Sequence, residues 1–204
     1  MPPEIRVTFL KSDDPLLSEV ERLFQQMYDD QRGQGLLLHP PPDASGRWLA
    51  GIRGALGRLG CLVGAMEGDR LVGFLHAGLH VIPEFLGGGL AGRISHVFLS
   101  PGSRRRGVGR RMVEAAVEWL RARGADTVEV QVLSQNLSGL AFWEALGWKV
   151  ELYQMRKPLR KTGGVEREET VRRPEEGPAG LQDVADVRRD EASPSEQGIR
   201  APAR

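Results

Sequence analysis

Cysteine is nearly absent from this sequence, with Cys61 the single one among 204 residues. One thiol cannot close a disulfide within the chain, which excludes a disulfide-rich secreted domain and fits a reducing compartment. Long apolar runs are missing as well, since no stretch approaches the roughly 18 apolar residues that span a bilayer. The first residues, Met1 to Glu4, have neither the basic nor the apolar segment of a secretory signal, so we expect a cytoplasmic protein without a membrane partner.

A large excess of one charge sign is also lacking. The chain carries 28 Lys and Arg residues against 27 Asp and Glu residues, for a formal net charge of +1. Dedicated nucleic-acid binders usually carry a strong basic excess. We therefore expect no nucleic-acid partner.

Aromatic residues stop before position 161. From there to residue 204 the chain consists of charged residues, Gly, Pro and Ser with only scattered aliphatics. Such a composition cannot bury enough apolar surface to offset the entropy lost on ordering. We predict a folded domain over residues 1–160 and a disordered or weakly helical tail over residues 161–204.

Within residues 1–160 the spacing of apolar residues predicts alternating strands and helices. In chain order the predicted elements are a strand at 5–9, helices at 14–28 and 48–59, a hairpin of strands at 61–66 and 70–82, a strand at 94–99, a helix at 107–123, a strand at 128–132, a helix at 137–146 and a strand at 148–155. The strand–helix–strand step through 94–132 implies a right-handed crossover between two parallel strands. We predict a mixed α/β domain with a mostly antiparallel sheet and a central parallel pair flanked by helices.

The segment from Ser100 to Arg111 joins a predicted strand directly to a predicted helix, and it reads SPGSRRRGVGRR. A helix start offers unpaired N–H groups and the positive end of the helix dipole, which suit an anion. Gly107 and Gly109 would let a phosphate approach the main chain without Cβ interference, and arginines add bidentate donors. The segment therefore predicts a pyrophosphate-binding site.

Two common phosphate-binding motifs do not fit this segment. A nucleotide P-loop needs Gly-Lys-Ser/Thr after its glycines, but Arg110 and Arg111 stand there. A dinucleotide fingerprint needs a third glycine where Met112 stands. A solvated basic patch or a nucleic-acid footprint would explain the arginines but not the spacing of the glycines.

The spacing Arg104-x-x-Gly107-x-Gly109 resembles the acyl-CoA-binding motif R/Q-x-x-G-x-G/A of the GNAT family of N-acetyltransferases. The predicted order of elements is similar to the GNAT acyl-CoA N-acyltransferase fold. The resemblance covers about residues 5–158 and none of the tail.

A second segment strengthens the resemblance. Asn136, followed by Phe142 and Trp143 and then by Gly147 and Trp148, is similar to a later GNAT motif of an Asn, two aromatics and a Gly-aromatic pair. Either motif alone could arise by chance. Both motifs, in order and on the expected elements, identify the chain as a member of the family.

The resemblance implies an acyl-CoA-dependent N-acetyltransferase. The expected reaction moves an acetyl group from acetyl-CoA to a primary amine by direct attack in a ternary complex, with no acyl-enzyme, so Cys61 need not be a nucleophile. The acceptor would be a small-molecule amine, a protein N-terminus or a lysine. Homodimers are frequent in the family, which leaves a homodimer open.

The alternative is a non-catalytic acyl-CoA-binding sensor or interaction module. GNAT members often carry a Tyr where Trp143 stands, and that phenol is thought to protonate the departing thiolate. An indole cannot serve as that acid. The sequence therefore leaves the general acid open, with Tyr153 or water as candidates.

The resemblance also implies contacts to acetyl-CoA. Main-chain groups of Phe98 and Leu99 would pair with the pantetheine arm, and the amides from Arg105 to Arg110 would hold the pyrophosphate. The implied cofactor-binding residues are Phe98, Leu99, Arg104, Arg105, Arg106, Gly107, Val108, Gly109, Arg110, Asn136, Ser138 and Phe142.

The general base has two candidates. A protonated alkylamine with a pKa of about 10 must lose a proton before it attacks. His96 has a suitable ordinary pKa, and strand alternation places it on one face with Ile94 and Phe98. Glu84, in the glycine-rich loop before that strand, is the other candidate. By analogy with the family, residues 28–42 and 83–93 would shape the acceptor pocket.

No metal site is expected from the sequence. His76 and His80 lie four residues apart on a predicted strand, which separates them by roughly 13 Å. That distance excludes a shared metal ion, so both are interpreted as ordinary strand residues.

Overall fold

The computed structural model of the chain describes residues 3–159. The elements in this part are β1 (Ile5–Leu10), α1 (Leu17–Arg32), α2 (Ala44–Arg53), β2 (Gly60–Glu67), β3 (Arg70–Val81), β4 (Leu90–Leu99), α3 (Val108–Arg121), β5 (Ala125–Val130) and α4 (Leu137–Ala145). Short 3-10 turns lie at Glu84–Leu86 and Pro101–Ser103. The predicted 161–204 tail falls outside the described residues.

The five strands form one sheet in the order β1-β2-β3-β4-β5. Neighbours from β1 to β4 pair antiparallel, and β4 pairs parallel with β5. The predicted mixed, mostly antiparallel α/β fold is therefore confirmed. No helix within residues 3–159 is both long and apolar enough to cross a membrane.

The predicted last strand at 148–155 is wrong, because those residues form neither a helix nor a strand. Val150 and Leu152 are 59% and 84% exposed. Alternating apolar residues satisfy a strand pattern, but a strand also needs a partner, and none of the described strands pairs with this segment. As a result β5 is an edge strand, and the parallel pair lies at one side of the sheet rather than at its centre.

Helices cover both faces of the sheet. On one face α1 and α2 pack over a core that includes Leu23, Phe24, Leu49, Phe74 and Phe98. On the other face, α3 packs over a second core. Its members include Val63, Leu75, Ile94, Met112, Ala116, Leu120 and Trp143. Helix α3 contributes Met112, Ala116 and Leu120 to this core, and they lie on one face of the helix because they recur at four-residue spacing.

A β-bulge interrupts β4. His96 lies opposite His76 on β3 and Ile94 lies opposite Ala77, so Ser95 has no partner of its own. The extra residue reverses the alternation of side chains along the strand. Ile94 therefore packs in the α3 core, whereas Phe98 packs in the core under α1 and α2. The prediction that Ile94 shares a face with His96 and Phe98 is wrong for this reason.

The bulge lies where β4 and β5 separate. Their register ends with Ile94 opposite Val130. Beyond that pair, residues 95–99 continue β4, and no strand among the described residues pairs with them on that side. A gap therefore opens between the carboxyl ends of the two parallel strands.

Candidate active site

The corner between β4 and α3 is built from unusual main-chain conformations. After the 3-10 turn, Arg105 adopts φ = 59°, the one positive φ of a non-glycine residue within positions 3–159. Gly107 follows with φ = 73° and lies immediately before the helix. Left-handed residues set among right-handed and extended ones turn successive N–H groups toward one concave side, which suits an anion.

The amides of this corner are unpaired. Among the described residues, no acceptor binds the N–H groups from Arg105 to Arg110, and the first helical bond joins Arg111 N to Gly107 O at 3.2 Å. No side chain caps the helix. A helix start without a cap leaves donors and a positive dipole end for a ligand.

The two glycines of the corner have different surroundings. A Cβ added at Gly107 would meet no atom within 4 Å, so the space over it is open. A Cβ at Gly109 would lie 3.2 Å from Phe142 Cε2 and 3.6 Å from Leu99 Cδ1. Gly107 thus leaves room for a ligand, whereas Gly109 lets Phe142 pack closely against the helix start.

Two arginines of the corner are held by the protein itself. Arg104 donates through Nε to Leu99 O at 2.7 Å and pairs with Asp30 at 3.0 Å. Arg106 pairs with Glu67 at 2.9 Å and also donates to the carbonyl of Pro3. The guanidinium beside Glu67 lowers the pKa of that carboxyl. Both arginines therefore brace the corner against neighbouring elements.

The side chains of Arg105 and Arg110 are less engaged. Both are exposed, and Arg110 makes only long contacts, 3.3 Å to Ala145 O and 3.9 Å to Glu114. Within residues 3–159 Arg105 has no ion pair or side-chain hydrogen bond. These two guanidinium groups are available to a phosphate.

The direction of the main chain at the end of β4 is fixed by one hydrogen bond. Ser100 N donates to Val72 O at 2.9 Å, toward β3. In a trans peptide the C=O points opposite to the N–H, so the Leu99 carbonyl points away from β3 into the gap. The N–H and the C=O of one strand residue point to the same side, so the Leu99 amide points into the gap as well. The N–H and C=O groups of Phe98 point to β3 instead. The geometry favours Leu99, not Phe98, for pairing with an extended ligand.

Helix α4 begins beside the gap. The Asn136 side chain accepts from Gly139 N at 2.9 Å, and Ser138 Oγ donates to the same oxygen at 3.1 Å. This is an N-cap, which stabilises the helix. Phe142, one turn further on, packs over Gly109. The later predicted cofactor-binding residues thus form a wall of the gap, with the Asn136 oxygen used by the helix.

A hydrogen-bonded group of polar side chains lies at the bulge. His76 Nδ1 is 2.6 Å from Ser95 Oγ, which is 2.9 Å from His96 Nδ1. His96 Nε2 is 3.4 Å from the hydroxyl of Tyr28 on α1. Burial lowers the pKa of His76 from 6.5 to about 4, and burial together with His76 does the same to His96. Both imidazoles are therefore neutral at pH 7.

Aromatic rings surround this group on the helix side. Trp48 of α2 lies 4.9 Å from the His96 ring and 5.7 Å from the His76 ring, centroid to centroid. Phe24 of α1 stacks on Trp48 at 4.6 Å and lies 5.2 Å from His96. Close packing of this kind restricts the orientation of both imidazoles.

Comparison with known proteins gives the family. The family model described as Acetyltransferase (GNAT) family matches residues 21–148. The chain belongs to the GNAT family. As a GNAT acetyltransferase it is an acyl-CoA-dependent N-acetyltransferase, and the match spans the gap, the corner and α4. Among curated proteins none matched the chain.

Solved structures share the fold. The aminoglycoside N-acetyltransferase AAC(6')-Iy, in complex with CoA, is 17% identical, with a TM-score of 0.63 over 78% of this chain and 97% of that one. A mutant of the BH1408 protein from Bacillus halodurans is 21% identical, with a TM-score of 0.62 over 76% and 99%. An aminoglycoside acetyltransferase from an uncultured soil metagenomic sample, in complex with sisomicin, is 16% identical, with a TM-score of 0.56 over 76% and 97%.

Two predicted catalytic residues of this GNAT domain lie apart from the gap. Glu84 is exposed in the turn before β4, at the end where Leu90 pairs with Ala125, so nearly the whole of β4 separates it from the corner. The loop composition gave no sign of which sheet end it occupies. Tyr153 is 89% exposed and has no hydrogen bond or ring contact within residues 3–159. The structure thus brings neither residue to His96.

Two other residues are enclosed by the core. Trp143 is 6% exposed and lies 4.8 Å from Trp148, ring to ring, as a core aromatic. Cys61 is 3% exposed, and burial raises the pKa of its thiol to about 12. A buried thiol that stays protonated cannot act as a nucleophile at neutral pH.

Sequence reasoning missed three members of the histidine group. Tyr28 was included only as the last residue of the predicted helix and the first of the segment 28–42 expected to shape the acceptor pocket, His76 was interpreted as an ordinary strand residue, and Ser95 was given no role. They meet because β3 and β4 pair with a bulge at Ser95. No local pattern in the sequence indicates that register.

Proposed function

We propose that residues 1–160 form a catalytic domain that transfers the acetyl group of acetyl-CoA to a primary amine by direct attack. The observation that carries this proposal is the corner before α3. Six successive amides, from Arg105 to Arg110, have no acceptor within residues 3–159, and they lie beside a gap between two parallel strands. Such a corner suits a pyrophosphate, and the open space over Gly107 admits one.

Each part of the site has a role in this proposal. The corner amides, with the side chains of Arg105 and Arg110, hold the pyrophosphate. The amide and carbonyl of Leu99 align the pantetheine arm as an added strand would be aligned, after Arg104 releases that carbonyl. Phe142 closes the gap from the α4 side and excludes water. Because Cys61 is buried and protonated, its thiol is not the nucleophile of an acyl-enzyme.

His96 is the proposed general base. It lies on β4 where the gap begins, and its lowered pKa of about 4 keeps it unprotonated and able to accept a proton at neutral pH. Neither Glu84 nor Tyr153 lies where the gap begins. Near His96 the end of α1 and the following loop would border the acceptor, since Tyr28 contacts His96.

Small-molecule amines are the proposed acceptor class. Two solved relatives of the same fold are aminoglycoside acetyltransferases, one of them in complex with sisomicin. Aminoglycosides, methylamine and a lysine peptide are therefore the acceptors to test first. A protein N-terminus or lysine remains the second class.

A matched pair of glycine variants tests the corner. Gly107 and Gly57 both have positive φ, 73° and 85°, and an added Cβ at either meets nothing within 4 Å. A leucine at either position carries a similar backbone strain of roughly 1–2 kcal/mol. Only Gly107 borders the proposed pyrophosphate site.

We expect calorimetry to show acetyl-CoA binding to wild type and to Gly57→Leu, and binding at least about tenfold weaker to Gly107→Leu. Equal weakening in both variants would remove the assignment of the corner. Absence of heat with wild type would refute the proposal. Binding without transfer to any amine of the panel would favour the sensor alternative.

A further inference from the structure

Four side chains from three elements form a continuous hydrogen-bonded series. In order they are Tyr28 of α1, His96 and Ser95 of β4, and His76 of β3. The separations are 3.4 Å, 2.9 Å and 2.6 Å between the bonding atoms. We call this series the relay.

Each link of the relay can pass one proton. A neutral imidazole carries one N–H donor and one acceptor nitrogen, and a serine hydroxyl donates one hydrogen bond while accepting others. If Tyr28 donates to His96 Nε2, then His96 Nδ1 donates to Ser95, and Ser95 donates to His76 Nδ1. The opposite direction is equally allowed by the same four groups. The proton positions on the two imidazoles are therefore coupled through Ser95.

The surroundings keep the relay uncharged at rest. Burial raises the pKa of the Tyr28 phenol and lowers those of both imidazoles. The helices over the two rings contribute Phe24 and Trp48. Asp30, further along α1, is paired with Arg104. Within residues 3–159 no carboxylate contributes to the pKa shift of either histidine.

We propose that Tyr28, His96, Ser95 and His76 act as one proton relay for the acetyl transfer, with Tyr28 as the group that exchanges the proton with the reactants. This inference rests on the proposed function and places Tyr28 between the amine and His96, so that His96 acts as the base through the Tyr28 phenol. In this proposal His76 and Ser95 do not touch the reactants. They position His96 and hold the proton, while Tyr28 contacts the reacting groups.

The proton count of the relay balances. When the attacking nitrogen bonds to the acetyl carbon, one of its N–H bonds breaks and the proton goes to the Tyr28 oxygen. The phenol proton moves to His96 Nε2, the His96 Nδ1 proton moves to Ser95, and the serine proton moves to His76 Nδ1. The reverse shift delivers one proton from Tyr28 to the departing CoA sulfur. One N–H is lost and one S–H is gained.

The energetics favour the return step. A protonated His76, with a pKa of about 4, is a stronger acid than a thiol, whose pKa is about 8.5. A proton stored on His76 is therefore transferred readily to a thiolate. The relay supplies the acid that Trp143, enclosed in the core, cannot supply. The longest link, 3.4 Å at Tyr28, is the one that a bound substrate would tighten.

The decisive variant is Ser95→Ala, because it interrupts the relay at its centre. Ser95 is exposed, so the change leaves no buried cavity. Ser95→Thr retains the hydroxyl and serves as the rescue. Ser18→Ala is the matched control, since the Ser18 hydroxyl contacts only the Pro15 carbonyl at 3.3 Å on the surface of α1.

The assay uses acetyl-CoA with methylamine and measures kcat, the KM for acetyl-CoA and the rate in mixtures of H2O and D2O. We expect Ser95→Ala to lower kcat about 100-fold, to leave KM within about twofold and to make a curved dependence on deuterium fraction linear. Tyr28→Phe should lower kcat similarly. Ser95→Thr should restore kcat to within about threefold of wild type, and Ser18→Ala should match wild type.

A second readout does not depend on turnover. In the protein with 15N-labelled histidine, Ser95→Ala should shift the Nδ1 resonances of both His76 and His96. Wild-type kcat in Ser95→Ala, or a shift of one imidazole alone, would overturn the relay while leaving the proposed function intact. A wild type that binds acetyl-CoA but forms no N-methylacetamide would overturn the proposed function and the relay with it.

Discussion

Acidification from about pH 7.5 to about pH 5 should destabilise the fold through His76 and His96. His76 is buried and His96 is half-buried under the α1 and α2 helices. Burial lowers each pKa from 6.5 to about 4, with His76 adding to the shift of His96. The unfolded chain exposes them with ordinary pKa values. Between these pH values the unfolded state therefore binds protons that the folded state does not bind.

The sign and size follow from linkage. A folded-state pKa below the unfolded one means that stability is fully present above about pH 6.5, falls as the pH is lowered and becomes constant below about pH 4. At about pH 5 the loss is about 2 kcal/mol for each imidazole and about 4 kcal/mol for both. That is a large part of the roughly 5–15 kcal/mol that holds a domain folded.

Guanidinium denaturation followed by tryptophan fluorescence measures the effect, because Trp48 packs against both imidazoles. Carboxylates also titrate in this range, so the comparison is between variants. His76→Gln with His96→Gln should remove about 4 kcal/mol of the wild-type pH dependence. His39→Gln, at an exposed loop residue, is the control variant.

The reasoning would be refuted if the double variant kept the full pH dependence of wild type. It would also be refuted if His39→Gln removed as much as the double variant does. Either result would mean that the two buried imidazoles are protonated in the folded protein as readily as in the unfolded chain.

Two further outcomes follow from the packing. Cys61→Ala should leave acetyl transfer unchanged while lowering the free energy of unfolding by about 1 kcal/mol, measured by denaturant titration; loss of turnover would contradict the reading of Cys61 as a core residue. Gly73→Ala should cost about 2 kcal/mol of stability and weaken acetyl-CoA binding in calorimetry, because its Cβ would lie 2.7 Å from Phe98 O and 2.5 Å from Leu99 Cδ2; unchanged binding would mean that β3 does not set the position of Leu99.

The parts that could be predicted from the sequence are those set by local chemistry. Gly107 and Gly109 follow a buried strand and open an amphipathic helix, so the strand-to-helix corner was visible in the order of residues. The helix and strand assignments rest on the same local periodicities, and the structure confirms the mixed sheet. The roles given to the corner residues stay predictions.

The predictions were wrong where the structure of a segment depends on contacts with distant parts of the chain. The alternation of apolar residues at 148–155 does not show whether an edge strand of the sheet pairs with this segment. Glu84 lies in a loop whose composition does not tell which sheet end it occupies. Strict alternation placed Ile94 with His96, because a bulge depends on the pairing of β3 with β4. The same pairing brings His76 and Ser95 to His96.

Ser95 also constrains how the length of β4 can vary. The bulge at this residue reverses the alternation of side chains between the two faces of the sheet. Even-numbered residues before Ser95 therefore face the α3 core, and those after it face the core under α1 and α2. Because Ser95 is the residue without a partner on β3, its deletion would leave Ile94 opposite Ala77 and His96 opposite His76, as neighbours on opposite faces of the sheet. The loss of Ser95 would therefore keep the contents of both cores, whereas the loss of a paired residue of β4 would turn the residues on one side of it to the other face.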